Sequence, residues 1–135
     1  MVDDRTLLSR IARGDDDGFR TFYDRHARRV YGIALNVLRD VGDAEEVTQD
    51  VFVEVHRAAG SFRGDARVST WLHRIALRKA IDRDRHRTRA RRFARVTHRL
   101  GFGPDPDAVQ LRSRDHPGVD LDHRQAARAL FDLID

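Results

Sequence analysis

Two stretches of opposite charge carry the chemistry that this chain could do. From Asp40 to Val55 there are six acids, Asp40, Asp43, Glu45, Glu46, Asp50 and Glu54, and no base. From Arg83 to Arg99 there are eight arginines against the single acid Asp84. An acid-only polar face complements a positively charged protein surface and steers encounter with it. An arginine comb suits phosphates, because the guanidinium presents a planar fork of donors. Phe62, Trp71 and Phe93 lie before and within the basic run, and rings among arginines fit single-stranded nucleic acid, whose bases stack on them. One chain with both stretches suggests two different partners. On charge alone, a solvated arginine-rich tail is an equal reading of the second.

Other chemistries find few residues to work with. The chain has no cysteine, which excludes disulfides, thiolate zinc sites and cysteine nucleophiles. Its seven histidines, at 26, 56, 73, 86, 98, 116 and 123, form no His-x-x-x-His pair, so neither a metal nor a cofactor is expected. Asp82 and Asp84 sit among arginines, and a helix-surface ion pair, with Asp82 four residues after Arg78, is a plainer account of them than acid/base work. No catalytic residue and no enzyme activity are expected. No apolar run approaches the ~18 residues that a membrane span needs, and the N-terminus is acidic where a secretory signal would be basic. The expected location is the cytoplasm.

The elements that position these residues follow from apolar spacing, which is helical almost throughout and nowhere alternates as in a strand. A first helix from about Asp4 to Arg13 carries Leu7, Leu8 and Ile11. After Gly14 and the run Asp15, Asp16 and Asp17, which offers caps, a long second helix carries Phe19, Phe22, Tyr23, Ala27, Val30, Tyr31, Ala34, Leu35 and Leu38. Gly42 is read as its break and Asp43, with Glu46 three residues on, as the cap of a third helix. That helix turns Ala44, Val47, Val51, Phe52 and Val55 inward and leaves Glu46, Gln49, Asp50 and Glu54 outward. Residues 60–68, with two glycines, read as a loop. Ser69 or Thr70 would cap a fourth helix that faces the others through Leu72, Ile75, Ala76 and Ala80 and outruns the core after Ile81. The fold class is therefore all-α, a compact bundle of about four helices over residues 1–99. Residues 100–120 hold all three prolines and three of the nine glycines, which marks a flexible linker. Residues 121–135 read as a further amphipathic helix through Leu121, Ala126, Leu130, Phe131 and Ile134.

The order of the pieces "GDDDGFRTFYDRHARRVYGIALNVL", "DAEEVTQDVFVEVHRA" and "SFRGDARVSTWLHRIALRKAIDRDR" resembles region 2 of the bacterial sigma-70 family, in the extracytoplasmic-function group, over roughly residues 4–90. The resemblance implies a sigma factor for transcription initiation. It would bind the clamp coiled coil of core RNA polymerase, and it would recognise and help melt the minus-ten promoter element as single-stranded nontemplate DNA. Glu46, Gln49 and Asp50 would meet the polymerase. A flipped base would lie between Phe62 and Arg78, in a pocket made by the loop Ser61 to Val68 and the following helix. Arg63, Arg67, Arg74 and Lys79 would hold the strand. Where relatives often carry asparagine this chain has Arg78, which has donors and no acceptor and so suits guanine's edge or a phosphate. Trp71 has two readings, the fork between duplex and single strand or, more plainly, a core anchor beside Leu72. The resemblance also implies that residues 121–135 begin a region 4 cut short, that the chain is a fragment, and that an anti-sigma factor is a possible partner. The competing reading is a generic helical nucleic-acid-binding protein that uses its arginine-rich helix, in which the acidic helix would have no purpose.

Overall fold

Three helices start on aspartates. Asp3 Oδ1 accepts from the Thr6 amide at 2.8 Å, Asp15 accepts from the amides of Asp17 and Gly18, and Asp40 Oδ1 accepts from the Asp43 amide at 2.9 Å. Each satisfies an amide that the first helical turn leaves without a partner. The computed structural model describes residues 1–104. In it α1 spans Asp4–Ala12, α2 Asp16–Leu38, α3 Val41–Ala58 and α4 Val68–Arg99, with a 3-10 turn at Ala59–Ser61 between the last two. Residue 105 onward, and with it most of the expected linker and all of the expected terminal helix, lies outside the described residues.

Two boundaries differ from the sequence reading. The α2–α3 turn is made at Arg39, which takes a left-handed φ of 55° and donates its amide to the Leu35 carbonyl at 2.8 Å. Asp40 is the cap, while Gly42 and Asp43 lie in the first turn of α3. Leu38 and Ala44 are both buried, so the chain must reverse between them before Gly42 is reached. At the other boundary α4 begins at Val68, one residue ahead of Ser69, with Arg67 extended before it and no side-chain cap. Burial of Val68 recruits it into the helix at the expense of a hydroxyl cap.

α2 is central and packs on α1, α3 and α4. Its aromatic residues meet Phe52 of α3: the Phe19, Phe22 and Tyr23 rings stand 6.4, 6.3 and 4.6 Å from it. Edge-on and tilted arrangements of this kind add to the burial itself. Burial pushes the Tyr23 hydroxyl up to about 12, with the charges of Asp24 and Glu45 acting in the same direction. Thr48, which the apolar pattern did not mark, is also buried, and its hydroxyl donates to the Ala44 carbonyl at 2.7 Å. α1 is pinned to α2 through Asp4, whose Oδ1 lies 2.9 Å from Arg25 Nη1 and 3.0 Å from His26 Nε2. Burial alone would raise the Asp4 carboxyl, but those two hydrogen bonds hold it below its ordinary value.

The last buried residue of α4 is Ala80. At 1.5 Å per residue this helix of 32 residues is about 48 Å long, and its later turns outrun the bundle, leaving Phe93 72% exposed. Among the described residues no helix is long and apolar enough to cross a membrane.

Candidate nucleic-acid interface

The loop between α3 and α4 is shaped by short local bonds. Ser61 Oγ donates to the Ala58 carbonyl at 2.7 Å, and Gly64 takes a φ of +80°, a region that side chains disfavour. Past the glycine the chain returns to Val68, which anchors it in the core. Between this loop and the first turns of α4 lies a recess of about 240 Å³, lined by Phe62, Arg63, Gly64, Asp65, Trp71 and Arg74 with Ser61 and Ala66. The Phe62 and Trp71 rings stand edge to face, with centroids 5.4 Å apart and planes at 64°. Both are half-buried and rest on the core. Trp71 thus rests on the edge of the core, as in the plainer reading, and also forms a wall of the recess.

Chemically, the recess offers two aromatic walls, two guanidinium groups and one carboxylate. An unstacked base can lie against the rings, its phosphates can meet Arg63 and Arg74, and an amino edge can donate to Asp65. Asp65 was inside the loop marked by the sequence but was not singled out, although it is the only acid between Arg63 and Arg67.

Of the residues expected to meet nucleic acid, Ser61, Phe62, Arg63, Trp71 and Arg74 come together here. Arg67 is exposed at the start of α4. The structure does not bring Arg78 opposite Phe62: its Nη2 lies 3.4 Å from Glu54 Oε1 on α3. Lys79 Nζ lies 2.9 Å from Glu54 Oε2. The reason is register, since Arg74, one turn earlier on α4, is level with the loop and lines the recess.

The second face is on α3. Glu46 and Asp50 are exposed and Gln49 half-buried, while Val47 and Thr48 between them and Val51 after them are buried. The three outward residues share one face by their spacing of three and four. α4 runs alongside and pairs with the acids at both ends. Arg83 Nη2 reaches Asp43 at 2.9 Å and Glu46 at 2.6 Å. Arg87 reaches Asp43 at 3.3 Å and donates to the Leu38 carbonyl at 2.8 Å, at the end of α2. The hydrogen bond to Asp43 raises the Arg83 guanidinium above its already high value. Part of each charged stretch is thus engaged inside the bundle, where Arg83 and Arg87 pair with Asp43 and Glu46.

The hydrogen bond from Lys79, helped by the charges of Lys79, Arg78 and Arg57, outweighs the opposing effect of burial and holds the Glu54 carboxyl below its ordinary 4.5. A carboxylate with a lowered folded-state value contributes stability above its unfolded value and loses it as pH falls through the folded one. Asp4 follows the same rule from an ordinary value of 3.8. Stability is therefore expected to be level from neutral pH to about pH 5 and to decline below about pH 4. Glu54→Gln should flatten part of that decline, by less than about 1 kcal/mol because the pair is partly solvated. Urea denaturation at a series of pH values checks this. An unchanged acid limb in Glu54→Gln would show that the Glu54 pair contributes nothing to stability.

Comparison with known proteins identifies the family and the fold. The family model for sigma-70 region 2 matches residues 22–92. The chain is 46% identical over 82 residues to the ECF RNA polymerase sigma factor SigK of Mycobacterium ulcerans, a match covering 58% of this chain and 43% of that one. It is 37% identical over 134 residues to SigK of Mycolicibacterium vanbaalenii, covering 96% of this chain and 64% of the relative. The chain thus spans less than two thirds of the length of either. Among solved structures it is similar to an engineered region 2 of sigmaE determined by NMR in complex with GTAAAA. That match has a TM-score of 0.61 and 29% identity, and covers 66% of this chain and 93% of the other.

Proposed function

Because the chain belongs to the sigma-70 region 2 family, in the extracytoplasmic-function group of sigma factors, we propose that it acts in transcription initiation as a promoter-specificity subunit of RNA polymerase. The observation that carries this reading is the pairing of an aromatic, arginine-rimmed recess with a separate acidic face on one bundle. Gln49, Asp50 and the exposed side of Glu46 dock on the basic clamp coiled coil of the core enzyme. The recess takes a flipped base of the nontemplate minus-ten strand, stacked against Phe62 and Trp71.

Extruding that base costs a few kcal/mol of unstacking, which stacking and edge contacts offset. Arg74 is the polar reader in this arrangement, and Arg63 and Arg67 hold phosphates. Arg78 and Lys79 meet the strand farther along α4, where phosphates compete with Glu54 for them. Melting follows from the same contacts, because a protein that binds the unpaired base draws the equilibrium away from duplex. RNA synthesis itself belongs to the polymerase, and the site of action is the cytoplasm where the polymerase works. An anti-sigma factor that covers either face would silence the protein.

The test is binding of the purified 135-residue chain to core RNA polymerase, with and without joint replacement of Glu46, Gln49 and Asp50 by alanine. The triple variant is expected to bind at least about tenfold more weakly and with a smaller salt dependence, while its melting temperature changes little. Equal binding by both proteins would remove the acidic face from the mechanism. Absence of core binding, together with salt-sensitive and sequence-blind DNA binding, would leave the generic arginine-helix reading.

A further inference from the structure

Beside the first recess lies a second, of about 340 Å³, between α1 and the loop. Buried Leu8 and Ala59 give it an apolar floor, and exposed Arg5, Ser9, Ala12 and Arg63 stand around it. It also shares Phe62, Arg63 and Gly64 with the first recess, so the two are neighbours across one turn of chain. Part of its space exists because residue 60 is glycine, where a Cβ would lie 3.6 Å from Ala12 Cβ. The Asp4 contacts to Arg25 and His26 hold α1 in place, which keeps Arg5 at the loop, its Nη2 3.4 Å from the Gly64 carbonyl. Ser9 Oγ accepts from Arg13 at 3.2 Å, which leaves its own hydrogen free to donate.

An apolar floor under an arginine rim, at a volume usual for ligand sites, is an environment for a planar ring with acceptors on its edge. Because the two recesses share Phe62, Arg63 and Gly64, consecutive bases of one strand can reach both. We infer that the recess between α1 and the loop takes the base adjacent to the flipped one, with Arg5 and Ser9 donating to its edge. This assignment rests on the promoter-reading role proposed above. The α1 wall of this recess, with Arg5 and Ser9, lies outside the segment that the family model matches, while its loop side lies inside it, and the assignment makes α1 part of the reading surface.

The experiment uses the 135-residue chain and a random library of single-stranded DNA hexamers, sequenced before and after partition at low salt. The parent protein is expected to prefer particular bases at two adjacent positions, by about tenfold at each. Arg5→Gln should flatten one position to about twofold and leave its neighbour, whereas Trp71→Ala should flatten the neighbour. Ser9→Phe, on the exposed side of α1, fills the recess without touching the Arg5 contact to Gly64, and should act as Arg5→Gln does. It carries the test if Arg5→Gln fails to fold by circular dichroism. The inference is overturned if only one position is selective, if these α1 variants leave the preferences unaltered, or if they weaken all hexamers equally, which is the signature of a phosphate contact. A parent protein without any positional preference would instead sink the promoter-reading role itself.

Discussion

Replacing Phe52 by alanine is expected to lower the stability of the bundle by about 3–5 kcal/mol. The side chain is fully buried and is the common neighbour of the Phe19, Phe22 and Tyr23 rings. Its removal opens a cavity between α2 and α3 that those rings are too well packed to fill. With a domain stability of roughly 5–15 kcal/mol and a urea dependence of about 1–3 kcal/mol per molar, the unfolding midpoint should fall by at least about 1 M. Phe93→Ala, at a side chain left exposed on the overhang of α4, should change stability by less than about 0.5 kcal/mol. Urea titrations followed by circular dichroism decide this. A cost below about 1 kcal/mol for Phe52→Ala would mean that the aromatic cluster does not hold α3, and with α3 the face of Glu46, Gln49 and Asp50, against the bundle.

The second large effect is expected at the recess. Joint replacement of Phe62 and Trp71 by alanine should weaken binding to a single-stranded hexamer that the parent prefers by about tenfold to a hundredfold, from the loss of base stacking. Binding to duplex DNA and its salt dependence should hardly change, because no charge is removed. Arg74→Ala should also lower affinity and relax the preference at the flipped base, as expected of a base-edge contact. Trp71→Phe keeps a ring against the core and should retain most of the affinity, which separates stacking from folding. Fluorescence anisotropy with labelled hexamers measures all four. A double variant that binds as tightly as the parent would show that the two rings are wall and anchor only, with no base stacked on them.

The parts of this protein legible in the sequence are those set by local spacing. Helical periodicity gave four helices and their inward faces, because a three-and-four repeat of apolar residues can be buried in only one way. The outward placement of Glu46 and Asp50 follows from the same repeat, with Val47 and Val51 fixed inward. The sequence also indicated the loop over residues 60–68, since two glycines interrupt an otherwise helical pattern, whereas the contact of Trp71 with Phe62 appears only in the fold. Where the reading went astray the competing effect came from elsewhere in the chain. Asp43 has the spacing of a cap, yet Arg83 and Arg87 of α4 take its carboxylate, the former 40 residues away. Ser69 and Thr70 have the chemistry of caps, yet Val68 enters α4 because it is buried.

Charge shows the same division. Composition and order alone determined that an acidic helix and a basic helix exist, and that the basic one outruns its apolar face. Which charges remain for partners was decided only when α3 and α4 lay side by side, for ion pairs form between groups within about 4 Å in space, whatever their separation along the chain. The pairing of Arg78 with Glu54, the level of Arg74 beside Phe62 and the approach of Arg5 to Gly64 are all of this kind. They depend on helix register and on the packing of α1 against α2, which no local pattern encodes, and it is through them that a helical bundle acquires recesses of defined shape.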